Sequence, residues 1–479
     1  MATTADIIII GGGAAGLMAA AGAAKTLAEK SENGSARGRV IVLEKMPRPG
    51  RKIMITGKGR CNFTNVKQWN EFQEHIHPKP NFLKPSFYNL NSDKMLAFME
   101  EHGLSVVVER GDRAFPESHL ASDVVDALVR AAQRAGAEIL CNKEVKDISA
   151  ENSHISEAPQ IDSSFIASEK RQDPVRFQIS CQDGSEYNCS KLIICTGGLS
   201  YPKTGSTGDG YGWAEKTGHK IRPLFPSLTA IVPKGYKDTT PAYQSNESKS
   251  EKKPSALKGH IDRGVPFAEF GKLLSGNQLK NVGLSLYIDG NEAQYEFGDL
   301  DFTDGGLEGP IGFKISRRCV NAVINGSKIY VTLDLKPAVE PDDLTVRIST
   351  LWNEVMKDKR SANKQYKERF RVLLTKVMPM SLIPAFVKAN PNTDHKTLAK
   401  TLKSWKMEIE GFVGYERCVV TAGGISTEDL TPKTLESRIV PGLYFAGEVL
   451  DLDADTGGYN LQTAFSTGYL AGICAAKSI

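Results

Sequence analysis

No Cys-x-x-Cys pair occurs among the eight cysteines, which stand at 61, 141, 181, 189, 195, 319, 418 and 474. That excludes the commonest redox-dithiol and zinc-ribbon sites. So sparse a set on a 479-residue chain suits a reducing compartment, the cytoplasm, better than a disulfide framework. HExxH and Asp-rich clusters are missing too, and His75, His77 and His395 lack metal-ligand spacing, so no metal is expected. Charge of one sign is scarce: 60 Lys and Arg face 56 Asp and Glu, and aromatics make up 8%. Neither figure favours a nucleic-acid partner. The Lys-rich run from Lys357 to Arg371 has interleaved acids and reads as a solvated helix face. One uncharged stretch, Ile7 to Ala24, has the length of a short membrane span. No basic segment precedes it and glycine fills its middle, so a buried strand and a small-residue helix are expected, with no membrane partner.

What the chain does have is glycine, 44 residues, and these cluster. With 40% hydrophobic and 24% charged residues it can build a core, and its length suits several domains of ~100–200 residues. Asp6 to Ile10 is a short run, apolar after Asp6, as in a parallel strand covered on both faces. Gly11-x-Gly13-x-x-Gly16 follows, then a helical stretch from Leu17 to Lys30, then a second strand Val40 to Leu43 ending at Glu44. In such a unit the glycines permit a tight turn, close approach to a pyrophosphate and close helix–strand packing. The helix N-terminus offers unpaired N–H groups to the phosphates, and Glu44 can accept from ribose hydroxyls. Its distance from the turn exceeds the usual ~20 residues; the excess is the polar insertion Ser31–Arg39, which a loop tolerates.

Further glycines end two later strands. Lys191 to Thr196 runs into Gly197 and Gly198, and Gly442 to Ala446 into Gly447 and Glu448. After Gly457-Gly458 a small-residue helix runs from Tyr459 to about Ala476, and its N-terminus suits the negative charge of a reduced flavin. The alternative for such a segment is a plain glycine turn before a packing helix; three at the start, middle and end favour one shared ligand. Residues 55–65 have little periodicity and read as an extended, glycine-bent loop, or alternatively as a solvated basic turn.

GGGAAG, PGRKIMITGKGRCNFTN, CTGGLSYPKTGSTGDGYGWA and GLYFAGEVLDLDADTGGYNLQTAFSTGYLAG together closely resemble the BaiN-type NAD(P)/FAD-dependent oxidoreductases, also labelled aminoacetone oxidase-like. The resemblance spans essentially the whole chain and implies noncovalent FAD in an α/β fold. That fold is a discontinuous Rossmann-type FAD-binding domain with an inserted antiparallel β-domain carrying a small helical subdomain. The implied boundaries are 1–222 and 426–479 for the FAD-binding parts, 223–340 for the β-domain, 341–408 for the helical subdomain and 409–425 for the return strand. On that pattern Gly11, Gly13, Ala15 and Gly16 would hold the pyrophosphate, with Glu44 and Lys45 at the adenosine end and Val145 against the adenine. Arg51, Lys52, Gly59, Arg60, Cys61 and Asn62 would line the middle and flavin end. Thr196, Gly197 and Gly198 would cover the cofactor, with Gly447, Glu448 and Asp451 near the ribityl chain and pyrophosphate. Asn460, Leu461 and Gln462 would meet the isoalloxazine, and substrate would enter a cleft beside it. The chain departs from the pattern in polar insertions at 31–39, 151–176 and 236–258, read as flexible surface excursions.

Between about 222 and 420, Leu228–Val232, Gly283–Ile288, Ala293–Phe297 and Ile329–Leu335 read as antiparallel strands. Leu344–Lys359, Tyr366–Val377 and Asp394–Lys406 read as helices. No Ser–His–Asp or Cys–His nucleophile set is visible. Cys61, in the flavin-end loop, is a candidate site residue or simply a small buried thiol. Arg60 and Tyr459 are candidate proton donors or substrate-orienting groups. A second GxGxxG is absent, so NAD(P)H, the candidate electron donor, would reach the flavin directly. The expected activity is FAD-dependent hydride transfer to a small organic substrate; the resemblance points to an activated carbon–carbon double bond. The alternatives are a peroxide-producing amine oxidase and a non-catalytic flavin-binding redox sensor.

Overall fold

The computed structural model describes residues 2–31, 38–151, 176–239, 257–359 and 363–479. Most of each expected surface insertion, residues 32–37, 152–175 and 240–256, lies outside the described residues. The chain divides into two compact units, residues 1–224 with 420–479, and residues 225–419. The return segment expected over 409–425 is shared between them: Trp405–Val413 belongs to the second unit's sheet, and Val420–Ile425 lies in the first unit.

In the first unit Thr3–Ile10 is the central strand. Parallel neighbours run outward on one side through Val40–Leu43 to Glu138–Leu140, and on the other to Glu186–Ile194 and Leu443–Phe445. Ile7, Ile8 and Ile9 are completely buried, which is why the strand reads as a continuous apolar run. The long strand Glu186–Ile194 changes partner along its length. Its first half pairs antiparallel with Arg176–Cys181, which pairs with Val145–Glu151; its second half pairs with Leu443–Phe445.

The uncharged stretch at the N-terminus forms strand and helix, and the helix Ala14–Ser31 packs directly on the C-terminal helix Tyr459–Lys477. Small residues make that contact close. A Cβ on Gly468 would lie 2.1 Å from the Ala15 carbonyl oxygen, and one on Gly472 would lie 2.1 Å from that of Ala19. Among the described residues, no helix is long and apolar enough to cross a membrane.

The second unit is a closed β-structure. Its order is Ile231–Pro233, Leu307–Glu308, Asn291–Phe302, Gln278–Ile288, Ile329–Asp334 and Trp405–Val413, and the last strand pairs back to the first. The helix Gly309–Ile324 packs on it through Ile311, Ile315, Cys319 and Val323, one residue per turn. Helices Pro341–Lys357, Tyr366–Thr375, Ile383–Ala389 and Leu398–Lys403 share the same core.

Two local expectations are corrected. Only Leu398–Lys403 of the stretch 394–406 is helical. Trp405 and Met407 are buried and Lys406 and Glu408 exposed, a period of two that marks a strand. The loop expected over 55–65 instead opens on one short helical turn, Thr56–Gly59, bent at Gly57 and Lys58, whose φ values are 56° and 57°, and closes on the short strand Thr64–Asn65.

Candidate cofactor site

Gly11, at φ 101°, ends the central strand, and its N–H donates to the Leu43 carbonyl at 2.8 Å. The helix starts at Ala14. The first N–H groups of a helix have no partner within it, which gives the turn a partial positive charge suited to a phosphate. Nothing occupies the space around a Cβ built on Gly13, so the turn is open at that point.

Glu44 is 8% exposed and accepts from the Gly12 N–H at 2.7 Å and the Met46 N–H at 2.8 Å. Burial pushes its pKa up, opposed by those two N–H groups and by the charges of Lys45 and Arg51. Each carboxylate oxygen accepts one N–H and retains acceptor capacity. Lys45 donates to Asp209 at 2.7 Å and to Thr207. Val145 is buried at the start of its strand, beside Lys143, whose N–H donates to the Glu44 carbonyl at 2.9 Å.

The second glycine pair is held by a carboxylate hub. Glu448 accepts from Lys52 at 2.5 Å, from the Ser200 hydroxyl at 2.7 Å and from the Thr421 N–H at 2.9 Å. Thr421 Oγ1 in turn accepts from the Leu199 and Ser200 N–H groups at 2.8 and 3.1 Å. A Cβ on Gly198 would stand 2.5 Å from Thr421 Oγ1, which requires glycine there. Gly197 lies at φ 74°, and Thr196 Oγ1 is buried without a hydrogen-bond partner.

The third glycine-bearing end is tied to the others. Gly447 donates to Thr467 Oγ1 at 3.0 Å, and a Cβ on it would meet Ala15 Cβ at 2.7 Å. Asp451 is buried, its N–H donating to the Ile425 carbonyl at 2.9 Å. The Asn460 side chain closes the turn before its helix, accepting from the Ala454 N–H and donating to the Ala454 carbonyl, both at 2.8 Å. Gln462 is fully buried and satisfied by Thr64, the Leu90 carbonyl and Ser466, while Leu461 packs on the apolar cluster around Phe63 and Phe465. Both polar side chains are therefore committed to the protein, and the helix N-terminus is what this segment offers a ligand. Asn62 Oδ1 is buried with no partner and would lie 2.8 Å from a Cβ on Gly458.

A model of the HI0933-like protein Rossmann domain matches residues 5–474. The chain belongs to that family. The HI0933-like family is one of FAD-dependent oxidoreductases, and two curated relatives span nearly the whole length. The chain is 28% identical over 456 residues to a ribosomal RNA dihydrouridine synthase of Escherichia coli, covering 93% of this chain and 94% of that one. It is 27% identical over 480 residues to a 3-dehydro-bile acid delta(4,6)-reductase of Clostridium scindens, covering 98% of each. Among solved structures, a 3-ketosteroid-delta4-(5alpha)-dehydrogenase from Rhodococcus jostii is 13% identical with a TM-score of 0.44, over 99% of this chain and 97% of that one.

The residues of this HI0933-like chain fit the family's cofactor. An open glycine turn at a helix head suits a pyrophosphate, a buried carboxylate at a strand end suits ribose hydroxyls, and two orphaned polar atoms, Asn62 Oδ1 and Thr196 Oγ1, lack partners in the protein alone. The three weaker candidates sit differently. Cys61 is completely buried, and burial pushes its thiol up to about 12, so at neutral pH it is an inert, neutral thiol. Arg60 is engaged by Glu109 and lies 3.0 Å from His119 Nδ1, over the Phe115 ring. Tyr459 stacks on His75 at 4.2 Å, and burial, then Asp455, raises its phenol.

Sequence reasoning missed Ser200, Thr421 and the cluster of His75, His77 and Asp455. Asp455 accepts from His75 at 2.9 Å and His77 at 3.2 Å. Burial alone would raise its pKa; the two imidazoles prevail and hold it at about 2. Among the described residues, no group of His, Cys, Asp or Glu is placed to hold a metal.

Proposed function

We propose that this chain is an FAD-dependent, NAD(P)H-linked reductase of a small molecule whose carbon–carbon double bond is conjugated to a carbonyl. The observation that carries the reading is the gathering of three glycine-bearing strand ends, from residues 11–16, 196–198 and 447–448, in one unit, with the buried Thr196 Oγ1 unpartnered at one of them. The reactions for which the two relatives are named support this reducible group. Making dihydrouridine saturates a ring double bond conjugated to a carbonyl, and a delta(4,6)-reductase of a 3-oxo bile acid does the same.

The bound flavin supplies hydride exchange at N5. The chain supplies the rest. Backbone N–H groups following Gly13 neutralise the pyrophosphate, and Glu44 fixes the adenosine end. The 19-residue helix beginning at Tyr459 directs its positive end toward charge developing on reduction. The eight unpaired cysteines support a cytoplasmic setting.

The test is anaerobic mixing of the yellow protein with NADH or NADPH. Bleaching by one of them, and return of colour on adding a 3-oxo-Δ4 steroid or uridine, supports the proposal. Hydrogen peroxide release with amines and no bleaching by either nucleotide would replace it with an oxidase.

A further inference from the structure

We infer that the protein pairs with a second copy of itself along the outer edge of the strand Val106–Glu109, each copy placing Arg110 in an acidic cavity of the other. This goes beyond the flavin-site reading and does not depend on it. The strand is the last of three in a small sheet of the first unit. Thr64–Asn65 pairs with Arg113–Pro116, which pairs with Val106–Glu109, and no described strand lies beyond.

The pairing pattern decides which backbone groups face the open edge. The Glu117 N–H donates to the Ser105 carbonyl at 2.9 Å, so Ser105 faces the neighbouring strand. Residues alternate along an antiparallel ladder, which turns the N–H and C=O of Val106 and Val108 outward. Two neighbours agree with this phase. Pro116, which has no N–H to give, stands opposite Val106. The Ala114 carbonyl, opposite Val108, accepts instead from the Phe63 N–H at 3.1 Å on its far side. Val108 is 48% exposed. A run of three valines with unpaired main-chain groups is a template for one more strand.

Two such edges satisfy each other when they run antiparallel about a two-fold axis at Val107. Val106 then exchanges both main-chain bonds with Val108 of the partner subunit, and Val108 with Val106 of the partner subunit. Every cross-strand pair is valine on valine, a favourable β-branched contact. Carried two residues further, the same register sets Arg110 of the partner subunit opposite Leu104. Leu104 lines a cavity of about 500 Å³, together with Ser105, Glu117 and three residues of the helix Ala121–Ala135, namely Asp123, Asp126 and Arg130. Asp123 is occupied by the hydroxyls of Ser118 and Ser122 at 2.5 and 3.2 Å, and Arg130 by the His102 carbonyl at 2.9 Å. Glu117 and Asp126 are exposed, and their carboxylates have no partner among the described residues; nor has the guanidinium of exposed Arg110. The register thus brings an unpaired cation to two unpaired carboxylates, twice by symmetry. That match selects a second copy over a foreign strand. An edge of four residues falls short of the ~800 Å² per partner of a standard interface, so the association is weak and reversible.

The experiment is sedimentation velocity of the full-length, flavin-loaded protein over a concentration series at low and physiological salt. A reversible dimer that weakens as salt rises is expected. Arg110→Glu should weaken dimerisation about tenfold or more, and so should E117R/D126R. The triple variant R110E/E117R/D126R exchanges the charges and should return to within about threefold of the wild type. Val108→Pro deletes an outward N–H that the sheet does not use and should abolish the dimer. Should that variant fail to fold, the charge-exchange series decides alone. A monomer at every concentration would overturn the inference, as would a dimer indifferent to Arg110→Glu or a triple variant that does not recover. A monomeric wild type that binds a fluorescent KVTVK peptide would also overturn it, since the edge would then serve a foreign strand. No flavin chemistry is read, so none of these outcomes touches the reductase proposal.

Discussion

A Cβ on Gly16 would stand 1.8 Å from the carbonyl oxygen of Gly11, whereas one on Gly13, three residues earlier, would meet nothing within 4 Å. The two glycines of one motif thus serve different ends: Gly16 lets helix and strand approach, and Gly13 leaves room for a ligand.

That difference separates two substitutions. Gly16→Ala should destabilise the protein by more than about 3 kcal/mol, because a backbone atom must move. Gly13→Ala should leave the melting temperature of the flavin-free protein nearly unchanged yet weaken FAD binding tenfold or more. Thermal unfolding with and without FAD distinguishes them. A Gly13→Ala protein that keeps full FAD affinity would place the pyrophosphate elsewhere.

Glu44→Arg should weaken FAD retention by at least tenfold, about 1.4 kcal/mol. The change removes a carboxylate acceptor and also strands the Gly12 N–H, which donates to it at 2.7 Å. Equilibrium dialysis of bound flavin measures it. Unchanged retention would mean that other groups hold the adenosine end.

The βαβ unit was legible because its signals are local: a β-branched run, a glycine turn and a carboxylate at a strand end all lie within Asp6–Glu44. The helix Gly309–Ile324 escaped notice although Ile311, Ile315, Cys319 and Val323 recur every four residues, because two glycines and a proline at its start look like a turn. Trp405 and Met407 continued an apolar helical pattern until the alternation with Lys406 and Glu408 was seen in place. The Glu448 hub was beyond reach for a different reason. Ser200 lies 248 residues away and Thr421 lies 27 away, and no sequence period reports a side-chain contact at such separations.

Cys61 should behave as a structural thiol. Its pKa near 12 leaves almost no thiolate at neutral pH, so iodoacetamide should label it far more slowly than the partly exposed Cys141 and Cys474. Cys61→Ala should leave flavin reduction within about threefold and cost on the order of 1 kcal/mol of stability. Peptide mapping after timed alkylation gives the answer; rapid labelling of Cys61 would return it to the list of reactive groups.

Lys52 and Glu448 should be energetically coupled. The pair is largely buried, and Glu448→Gln leaves the ammonium of Lys52 facing a neutral amide. Each single variant, Lys52→Met or Glu448→Gln, should cost ~3 kcal/mol. The double variant should cost less than their sum, with a coupling of ~1–3 kcal/mol in a denaturant-unfolding cycle. Strict additivity would mean that Ser200 and Thr421 hold the loop without the lysine.

Asp455 gives the site an acid limit. Its carboxyl is held at about 2 in the folded protein, below the ordinary value near 3.8, so its charged form stabilises the fold. That contribution is present in full above about pH 4 and disappears as the pH falls toward 2. With the side chain only 20% exposed, the shift corresponds to about 2 kcal/mol. Hydrogen exchange of the segment 454–458 should therefore accelerate as the pH drops through that window, after correction for the intrinsic rate. Asp455→Asn should accelerate it already at pH 7 and remove the extra acid dependence. Because Asn460 binds the same turn, the substitution should also loosen flavin, read as a higher FAD dissociation constant at neutral pH. Wild-type exchange that shows no excess acceleration between pH 4 and 2 would mean that His75 and His77 do not secure the turn through this carboxylate.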